Sequence, residues 1–191
     1  FQLPELMLSN YRFTSMTKKI LVMLSEWGYW GEELIGPLDV LTKAGYTLDF
    51  MTAFGRKPPA LPPSMEEGYL DPPLNKVVTD AHFAKRTTEV HESNLLSNPI
   101  NLSEKLSLMP YFNGQNFGLD LAAFHDRREE FWKEFVDPYD ALLLPGGSGP
   151  MVDMVNNERL HNLILGYVNR NKLIAAECYC VTCLAFAREW S

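Results

Sequence analysis

The chain has 191 residues, of which 46% are apolar and 21% charged, a composition typical of one globular domain or of one domain with an insert. Its net charge of −7 argues against a nucleic-acid-binding protein and against a polybasic membrane-surface protein. No apolar run approaches the ~20 residues of a membrane span. Residues 1–15 lack the pattern of a secretory signal, so we interpret them as a leader or tag-like arm before Met16.

The first half of the domain predicts a β-α-β unit. Residues 19–24 are a continuous apolar run, typical of a buried parallel strand. A glycine-punctuated loop follows at residues 25–31, and residues 32–44 carry apolar side chains at helical spacing. Residues 47–53 form the second predicted strand. Such units give parallel sheets with right-handed crossovers.

The middle of the chain is predicted to hold an accessory insert. Residues 55–73 are rich in proline and are expected to be mostly loop. Residues 75–136 are interpreted as helices and loops only, with helices expected at 80–91, 103–109 and 119–136.

The last third predicts a return to the sheet. Strands are expected at residues 139–144 and 173–177, and the helices that follow them at 151–156, 158–171 and 178–189. Alternating strands and helices indicate an α/β fold, a flavodoxin-like three-layer sandwich with a parallel sheet. Ligands of such sheets bind at the carboxyl ends of the strands. We therefore expect residues 25–31, residues 145–149 and the turn at Cys178 to converge there.

The strongest motif is the run Ala176-Glu177-Cys178-Tyr179-Cys180, where a strand passes directly into a helix. This is the pattern of a nucleophile elbow, which needs small residues two before and two after the nucleophile. Ala176 and Cys180 satisfy this rule around Cys178. The N-terminal end of a helix favours the thiolate form of a cysteine, so Cys178 is the predicted nucleophile.

Two further features lie at the same sheet edge. Consecutive glycines, Gly146 and Gly147, follow a buried strand and can turn backbone N–H groups toward an oxyanion. Glu33 opens the first crossover helix. It is either a carboxylate favourably placed in a first turn or a buried acid that hydrogen-bonds the nucleophilic sulfur.

Other candidates leave alternatives open. The aromatic residues Trp27, Tyr29 and Trp30 wall a substrate pocket or simply cover the core. The cysteines fall within residues 178–183, which argues against a disulfide framework and favours a cytoplasmic protein. Structural zinc sites use four ligands from loops, so three thiols beside an apolar helix do not predict a metal.

These motifs resemble the ThiJ/PfpI superfamily, which has the class I glutamine amidotransferase-like fold, over residues 19–190. The resemblance is carried by the segments EELIGPLD, YDALLLPGGSGPMVDM and AAECYCVTCLAFA. In addition, LDPPL at residues 70–74 and LSNP at residues 96–99 resemble the long branch that includes glyoxalase III and heat-shock chaperone proteins. Members continue past the last helix with further strands, so we expect the sheet to lack its C-terminal strands.

The resemblance implies a chemistry. Cys178 would be the nucleophile, Glu33 the acid that shares a proton with its sulfur, and the N–H groups of Gly147 and Tyr179, with Gly146, the oxyanion hole. The thiolate would add to small reactive carbonyl compounds such as 2-oxoaldehydes without a cofactor. The expected partners are a small-molecule substrate and a second copy in a homodimer.

The chain departs from the family pattern at positions where members carry histidine. Tyr179, Cys180 and Val181 stand in place of His, Gly and Pro, and Ser148 stands where His often follows the glycines; we include Ser148 in the predicted pocket. His161 is interpreted as a packing residue, and the insert holds His82, His91 and His125. A base could also come from beyond Ser191. Two alternatives stay open: a hydrolase or hydratase of amide, peptide or isonitrile bonds, and a non-enzymatic redox-sensing stress or chaperone-like protein.

Overall fold

The apolar runs of the sequence become the strands of one sheet in the computed structural model, which describes residues 19–112 and 115–189. The predicted leader at residues 1–15 lies outside these described residues. In the part that is described, no helix combines the length and the apolar character that a membrane crossing requires.

The strands fall into one large sheet and one small ribbon. The strands are β1 (Lys19–Met23), β2 (Thr47–Thr52), β3 (Leu70–Asp71), β4 (Lys76–Val77), β5 (Ile100–Asn101), β6 (Ala141–Leu144) and β7 (Leu173–Ala176). Five of them form a sheet in the order β5-β2-β1-β6-β7, and each neighbouring pair is parallel. β3 and β4 pair with each other as an antiparallel ribbon.

Helices cover both faces of the sheet. They are α1 (Gly31–Lys43), α2 (Ala81–Glu92), α3 (Leu102–Lys105), α4 (Phe117–Phe135), α5 (Pro150–Asp153), α6 (Glu158–Asn169) and α7 (Val181–Phe186). Successive side chains of a strand point to opposite faces. Ile20 and Val22 of β1 therefore pack with α1 and α2, whereas Leu21 and Met23 pack with α4 and α6. The predicted α/β three-layer fold is confirmed.

The insert differs from its prediction. Residues 75–136 were expected to hold helices and loops only, but β5 within them pairs with β2 and extends the sheet. β5 has only two residues and follows Pro99, so it leaves no apolar run in the sequence. The second expected helix of the insert, at residues 103–109, is the single turn α3.

The predicted C-terminal helix at residues 178–189 is shorter and starts differently. It opens as a 3₁₀ turn at Cys178–Cys180 and continues as α7, which ends at Phe186. Charged residues at 188 and 189 extend beyond it. The predicted strand at residues 173–177 ends one residue earlier, at Ala176.

Candidate active site

Cys178 occupies a strained turn between β7 and the rest of the 3₁₀ turn. Its φ of 50° lies in the left-handed region, which non-glycine residues adopt at a cost of about 1–3 kcal/mol. The turn is held by backbone hydrogen bonds: Glu177 N–H donates to the carbonyl of Leu144 at 3.1 Å, and Cys180 N–H donates to the carbonyl of Glu177 at 3.0 Å. Cys178 itself is exposed, so its thiol is accessible to a substrate.

Small residues let the loop after β6 approach this turn. A Cβ atom at Gly146 would lie 2.7 Å from the Cβ of Cys178 and 2.6 Å from the carbonyl oxygen of Glu177. Cys180, the small residue two after Cys178, is buried, and its Sγ donates to the carbonyl of Pro145 at 3.0 Å. The spacing rule thus corresponds to real contacts around Cys178.

Glu33 meets Cys178 from the first turn of α1. Its Oε2 accepts the N–H of Gly146 at 2.7 Å, and a Cβ atom at Gly146 would lie 2.8 Å from this oxygen and 2.7 Å from the Cβ of Cys178, so the two side chains are neighbours. Burial raises the pKa of Glu33, the interactions with Gly146 and Cys178 oppose this shift, and the charges of Glu177 and Glu32 add to it. An acid with a raised pKa next to a thiol can share one proton with the sulfur. The buried-acid interpretation of Glu33 therefore fits the geometry better than a first-turn carboxylate.

The predicted oxyanion donors separate into two groups. Gly147 and Tyr179 line the same pocket as Cys178, and Gly147 has a left-handed φ of 94°. The N–H of Gly146 donates to Glu33 and is not available to an oxyanion. The prediction that Gly146 belongs to the oxyanion hole therefore does not fit the structure. Gly147 also needs to be a glycine, because a Cβ there would lie 2.7 Å from the backbone nitrogen of Trp30.

A pocket of about 420 Å³ opens over the Cys178 side chain. It is lined by the ends of strands, the start of α1 and part of the insert: Trp30, Glu32, Glu33, Leu61, Pro63, Asp71, Val78, Gly147, Ser148, Cys178 and Tyr179. Trp30 and Ser148 line it as predicted. Trp27 and Tyr29 do not: Trp27 is 61% exposed outside the pocket lining, and Tyr29 is fully buried in the core beneath α1.

One wall of the pocket comes from the proline-rich segment, which the sequence predicts to be mostly loop. Leu61 and Pro63 reach the site because Leu61 N–H donates to the carbonyl of Tyr29 at 2.9 Å and Tyr29 N–H donates to the carbonyl of Pro59 at 3.1 Å. Asp71 lies in β3, and residue 78 directly follows β4. The segment carries no local signal for this placement, which depends on backbone pairing with the loop after β1.

The histidines lie away from this pocket. The Nδ1 atom of His91 accepts the N–H of Ala60 at 3.2 Å, and Nε2 of His161 lies 2.8 Å from the carbonyl oxygen of Val155. His161 lines a separate cavity bordered by α4 and α6, and its interpretation as a packing residue stays a prediction. None of the residues described as lining the pocket is a histidine. Nor do residues 19–112 and 115–189 contain a group of three or more His, Cys, Asp or Glu side chains arranged to hold a metal ion.

A second polar cluster fixes the loop after β1. Ser25 Oγ donates to Oδ1 of Asp153 at 2.6 Å, and Glu26 N–H donates to Oδ2 of the same residue at 2.8 Å. Burial raises the pKa of Asp153, and its two donors oppose that shift. This cluster ties the loop to α5 and so holds the sheet edge that carries Trp30 and Glu33.

A parallel α/β sheet, a left-handed cysteine at the turn that follows a strand, and an adjoining acid give an α/β protein with the backbone geometry of a nucleophile elbow. The family model described as ThiJ/PfpI family-like matches residues 24–190, and the chain belongs to this family. No significant match was found among the curated proteins.

Solved structures share this fold at low sequence identity. The protein designated APC35852 is 21% identical, with a TM-score of 0.57 over 91% of this chain and 62% of that one. The Rapid Encystment Protein of 24 kDa from Francisella tularensis is 20% identical, with a TM-score of 0.54 over 90% of this chain and 63% of that one. A ThiJ/PfpI domain protein from Brachyspira murdochii is 14% identical, with a TM-score of 0.50 over 90% of this chain and 65% of that one. The chain thus spans less than two thirds of the length of each of these proteins.

Proposed function

We propose that the protein is a cysteine-dependent enzyme that adds the Cys178 thiolate to small reactive carbonyl compounds, in the manner of a cofactor-independent glyoxalase III or deglycase. The observation that carries this proposal is the position of Glu33 beside Cys178, with both side chains lining the same open pocket. Membership in the ThiJ/PfpI family, which includes many enzymes, is compatible with it.

The first step on a 2-oxoaldehyde is addition. Sγ of Cys178 forms a bond to the aldehyde carbon, and the carbonyl π pair moves onto the oxygen. The N–H groups of Gly147 and Tyr179 would stabilise the negative charge on that oxygen. Glu33 holds the proton that the thiol gives up. Protonation of the oxygen completes a hemithioacetal.

The second step moves a hydrogen within the adduct. The Glu33 carboxylate takes the former aldehyde hydrogen as a proton, which leaves an enediolate, and returns this proton to the neighbouring carbon while the hydroxyl proton of the adduct moves to the other oxygen. The product of this transfer is a thioester of Cys178. Water then breaks the carbon–sulfur bond, releasing a 2-hydroxy acid and the free thiol. The net change is the addition of one water molecule, so no oxidant or reductant is needed.

The residues around Cys178 favour this reaction over amide or peptide hydrolysis. Cleavage of an amide expels an amine, which needs a proton donor, usually histidine. The described lining of the pocket includes Glu33 beside Cys178, and no histidine. Isomerisation of a 2-oxoaldehyde expels no amine, so one acid that moves one proton is sufficient.

The test is turnover of methylglyoxal by the wild type and by two variants. Cys178→Ala should reduce kcat/KM to the uncatalysed level, and Glu33→Gln should reduce it by about 10²–10⁴-fold. Matched controls are Cys183→Ala, which removes a buried thiol, and Glu130→Gln, which removes an exposed carboxylate on α4. Both controls should stay within about threefold of the wild type.

Full activity in Cys178→Ala would overturn the proposal. A wild type that turns over no carbonyl, but converts Cys178 stoichiometrically to the sulfinic acid under mild peroxide, would favour the redox-sensing alternative. Turnover of amide or isonitrile substrates alone would favour the hydrolase or hydratase. The homodimer and the cytoplasmic location stay predictions; light scattering on the purified chain checks the first.

A further inference from the structure

The described lining of the pocket over Cys178 holds three carboxyl groups, those of Glu32, Glu33 and Asp71, and no lysine, arginine or histidine. None of the ion pairs among residues 19–112 and 115–189 includes Glu32 or Asp71. Lys76 is the cross-strand neighbour of Asp71 in the ribbon but does not line the pocket. A substrate that enters the pocket therefore meets these carboxylates directly.

The carboxylates near Cys178 raise one another's pKa. Burial raises the pKa of Glu177, and the charge of Glu32 raises it further. Glu33 experiences the charges of both. Across the pocket, Asp71 belongs to the β3–β4 ribbon, and its Oδ1 accepts the N–H of Leu74 at 2.9 Å, an uncharged donor that leaves its charge in place.

The remaining lining is apolar or uncharged. Trp30, Leu61, Pro63, Val78 and Tyr179 surround the carboxylates, and the cavity of about 420 Å³ has room for a compound with an aromatic or aliphatic group. Apolar contact stabilises such a group, whereas an anion next to uncompensated carboxylates is repelled.

We propose that Glu32 and Asp71 make the pocket select neutral or cationic 2-oxoaldehydes that carry an apolar group and reject carbonyl compounds that carry a carboxylate or phosphate. This inference rests on the proposed function, because it names the substrate class of the same site. Glu32 and Asp71 act here as specificity-determining residues and take no part in bond making.

The first experiment compares phenylglyoxal with 4-carboxyphenylglyoxal, which differ only by one carboxylate. The wild type should prefer phenylglyoxal in kcat/KM by at least about tenfold. Glu32→Gln and Asp71→Asn should each raise kcat/KM for the carboxylate compound by about threefold, and the double variant by about tenfold. Phenylglyoxal should change by less than about twofold, and added salt should reduce the preference of the wild type.

The control is Glu67→Gln, an exposed carboxylate between the proline-rich loop and the ribbon that does not line this pocket. It removes the same net charge and should leave the preference unchanged. Equal kcat/KM for both compounds in the wild type would overturn the inference, as would a preference that the double variant retains.

A second experiment works without turnover, so it separates the failure of this inference from the failure of the proposed function. Cys178 is alkylated with neutral iodoacetamide and with anionic iodoacetate, and the rate ratio is compared with that of free cysteine. The ratio of the iodoacetamide rate to the iodoacetate rate should be at least about fivefold larger for Cys178 of the wild type than for free cysteine. In the double variant this ratio should fall most of the way to that of free cysteine. If neither oxoaldehyde is turned over but the alkylation ratio behaves as expected, only the proposed function fails. A ratio equal to that of free cysteine overturns the charge selection itself.

Discussion

The turn at Cys178 and the pocket wall that it faces differ in how much strand pairing holds them in place. The turn follows β7, which pairs with β6 in a continuous sheet, and Glu177 and Cys180 close it with backbone hydrogen bonds. The wall includes the β3–β4 ribbon, whose strands have two residues each and whose Val77 is 63% exposed. The bond from Val78 N–H to the carbonyl of Tyr69 at 3.0 Å continues the ribbon's own ladder, and the hydroxyl of Thr79 joins the ribbon to the proline-rich segment by donating to the carbonyl of Pro63 at 3.0 Å.

This difference suits the separate roles that we propose for the two regions, catalysis at the turn and substrate selection at the wall. A nucleophile, its acid and its oxyanion donors must be held closely in position, and a strained residue persists only where the surrounding structure is firm. A wall that provides apolar area and charge tolerates looser packing. We therefore expect substitutions at the elbow to change stability and catalysis together, and substitutions in the wall to change substrate preference with little effect on folding.

The largest effect on stability is expected from Gly146→Ala. Its new Cβ would lie 2.6–2.8 Å from Glu177, Cys178 and Glu33, so the site must shift. The free energy of unfolding should fall by about 1–3 kcal/mol, and kcat/KM should fall by at least about 10²-fold. Urea unfolding and methylglyoxal kinetics measure the two effects.

The matched control for Gly146 lies next to the ribbon. A Cβ atom at Gly68 would meet no other atom within 4 Å, and only the φ of 78° at this position opposes an alanine. Gly68→Ala should therefore cost about 1 kcal/mol of stability and leave kcat/KM unchanged within about twofold. Equal losses of activity in the two variants would contradict the division between elbow and wall.

A smaller effect of opposite sign is expected from Cys178→Gly. Glycine adopts the left-handed conformation without steric cost, so this variant should unfold with a free energy about 1 kcal/mol higher than that of the wild type while losing all activity. Asn75 in the turn of the ribbon has a similar φ of 49°, which asparagine tolerates well. Asn75→Gly should therefore change stability by less than about 0.5 kcal/mol. A destabilised Cys178→Gly would show that the turn stores no strain.

The smallest effect concerns the ion pair that joins α2, which follows the wall, to α1. Nη2 of Arg86 lies 2.8 Å from Oδ1 of Asp39, and the hydrogen bonds from Arg86 hold the pKa of Asp39 below its usual value. A carboxyl group whose pKa is lowered by folding contributes stability above its unfolded value of about 3.9 and loses that contribution as the pH falls through the folded value. Because both side chains are more than a third exposed, the contribution should be below about 1 kcal/mol.

Unfolding of Asp39→Asn and of the wild type, compared near pH ~7 and near pH ~3, measures this contribution. The difference between them should shrink toward zero at the lower pH. Asp120→Asn, at an exposed position in the first turn of α4, serves as the control. A difference that persists undiminished in acid would exclude the ion pair as its cause.

How far each feature could be predicted from the sequence depends on how local it is. The elbow was predictable because its small residues and its strand-to-helix change lie within five positions around Cys178. Two interpretations of Glu33 stayed open because its partner Gly146 is 113 residues away and spacing along α1 does not report that contact. Trp30 and Tyr29 were not distinguishable, since the parallel bridge between Tyr29 and Ala60 decides which aromatic ring turns inward.

The parts that were missed are the ones without a periodic pattern. β5 has two residues, and the residues of the wall lie among prolines, where neither the two-residue period of a strand nor the helical period develops. Their positions depend on long-range backbone pairing with the loop after β1 and with β2. For the same reason, the charge of the pocket became visible only when Asp71 and Glu32 were found to line the same cavity.

The pairing of Glu33 with Cys178 is tested most directly by the pH dependence of Cys178 alkylation. The rate of reaction with iodoacetamide is followed by mass spectrometry across the pH range in the wild type, in Glu33→Gln and in the control Glu130→Gln. On the proposal that the carboxyl group and the thiol share one proton, we predict that Glu33→Gln changes how the alkylation rate depends on pH and that Glu130→Gln leaves this dependence unchanged. Superimposable profiles for the wild type and Glu33→Gln would contradict the account.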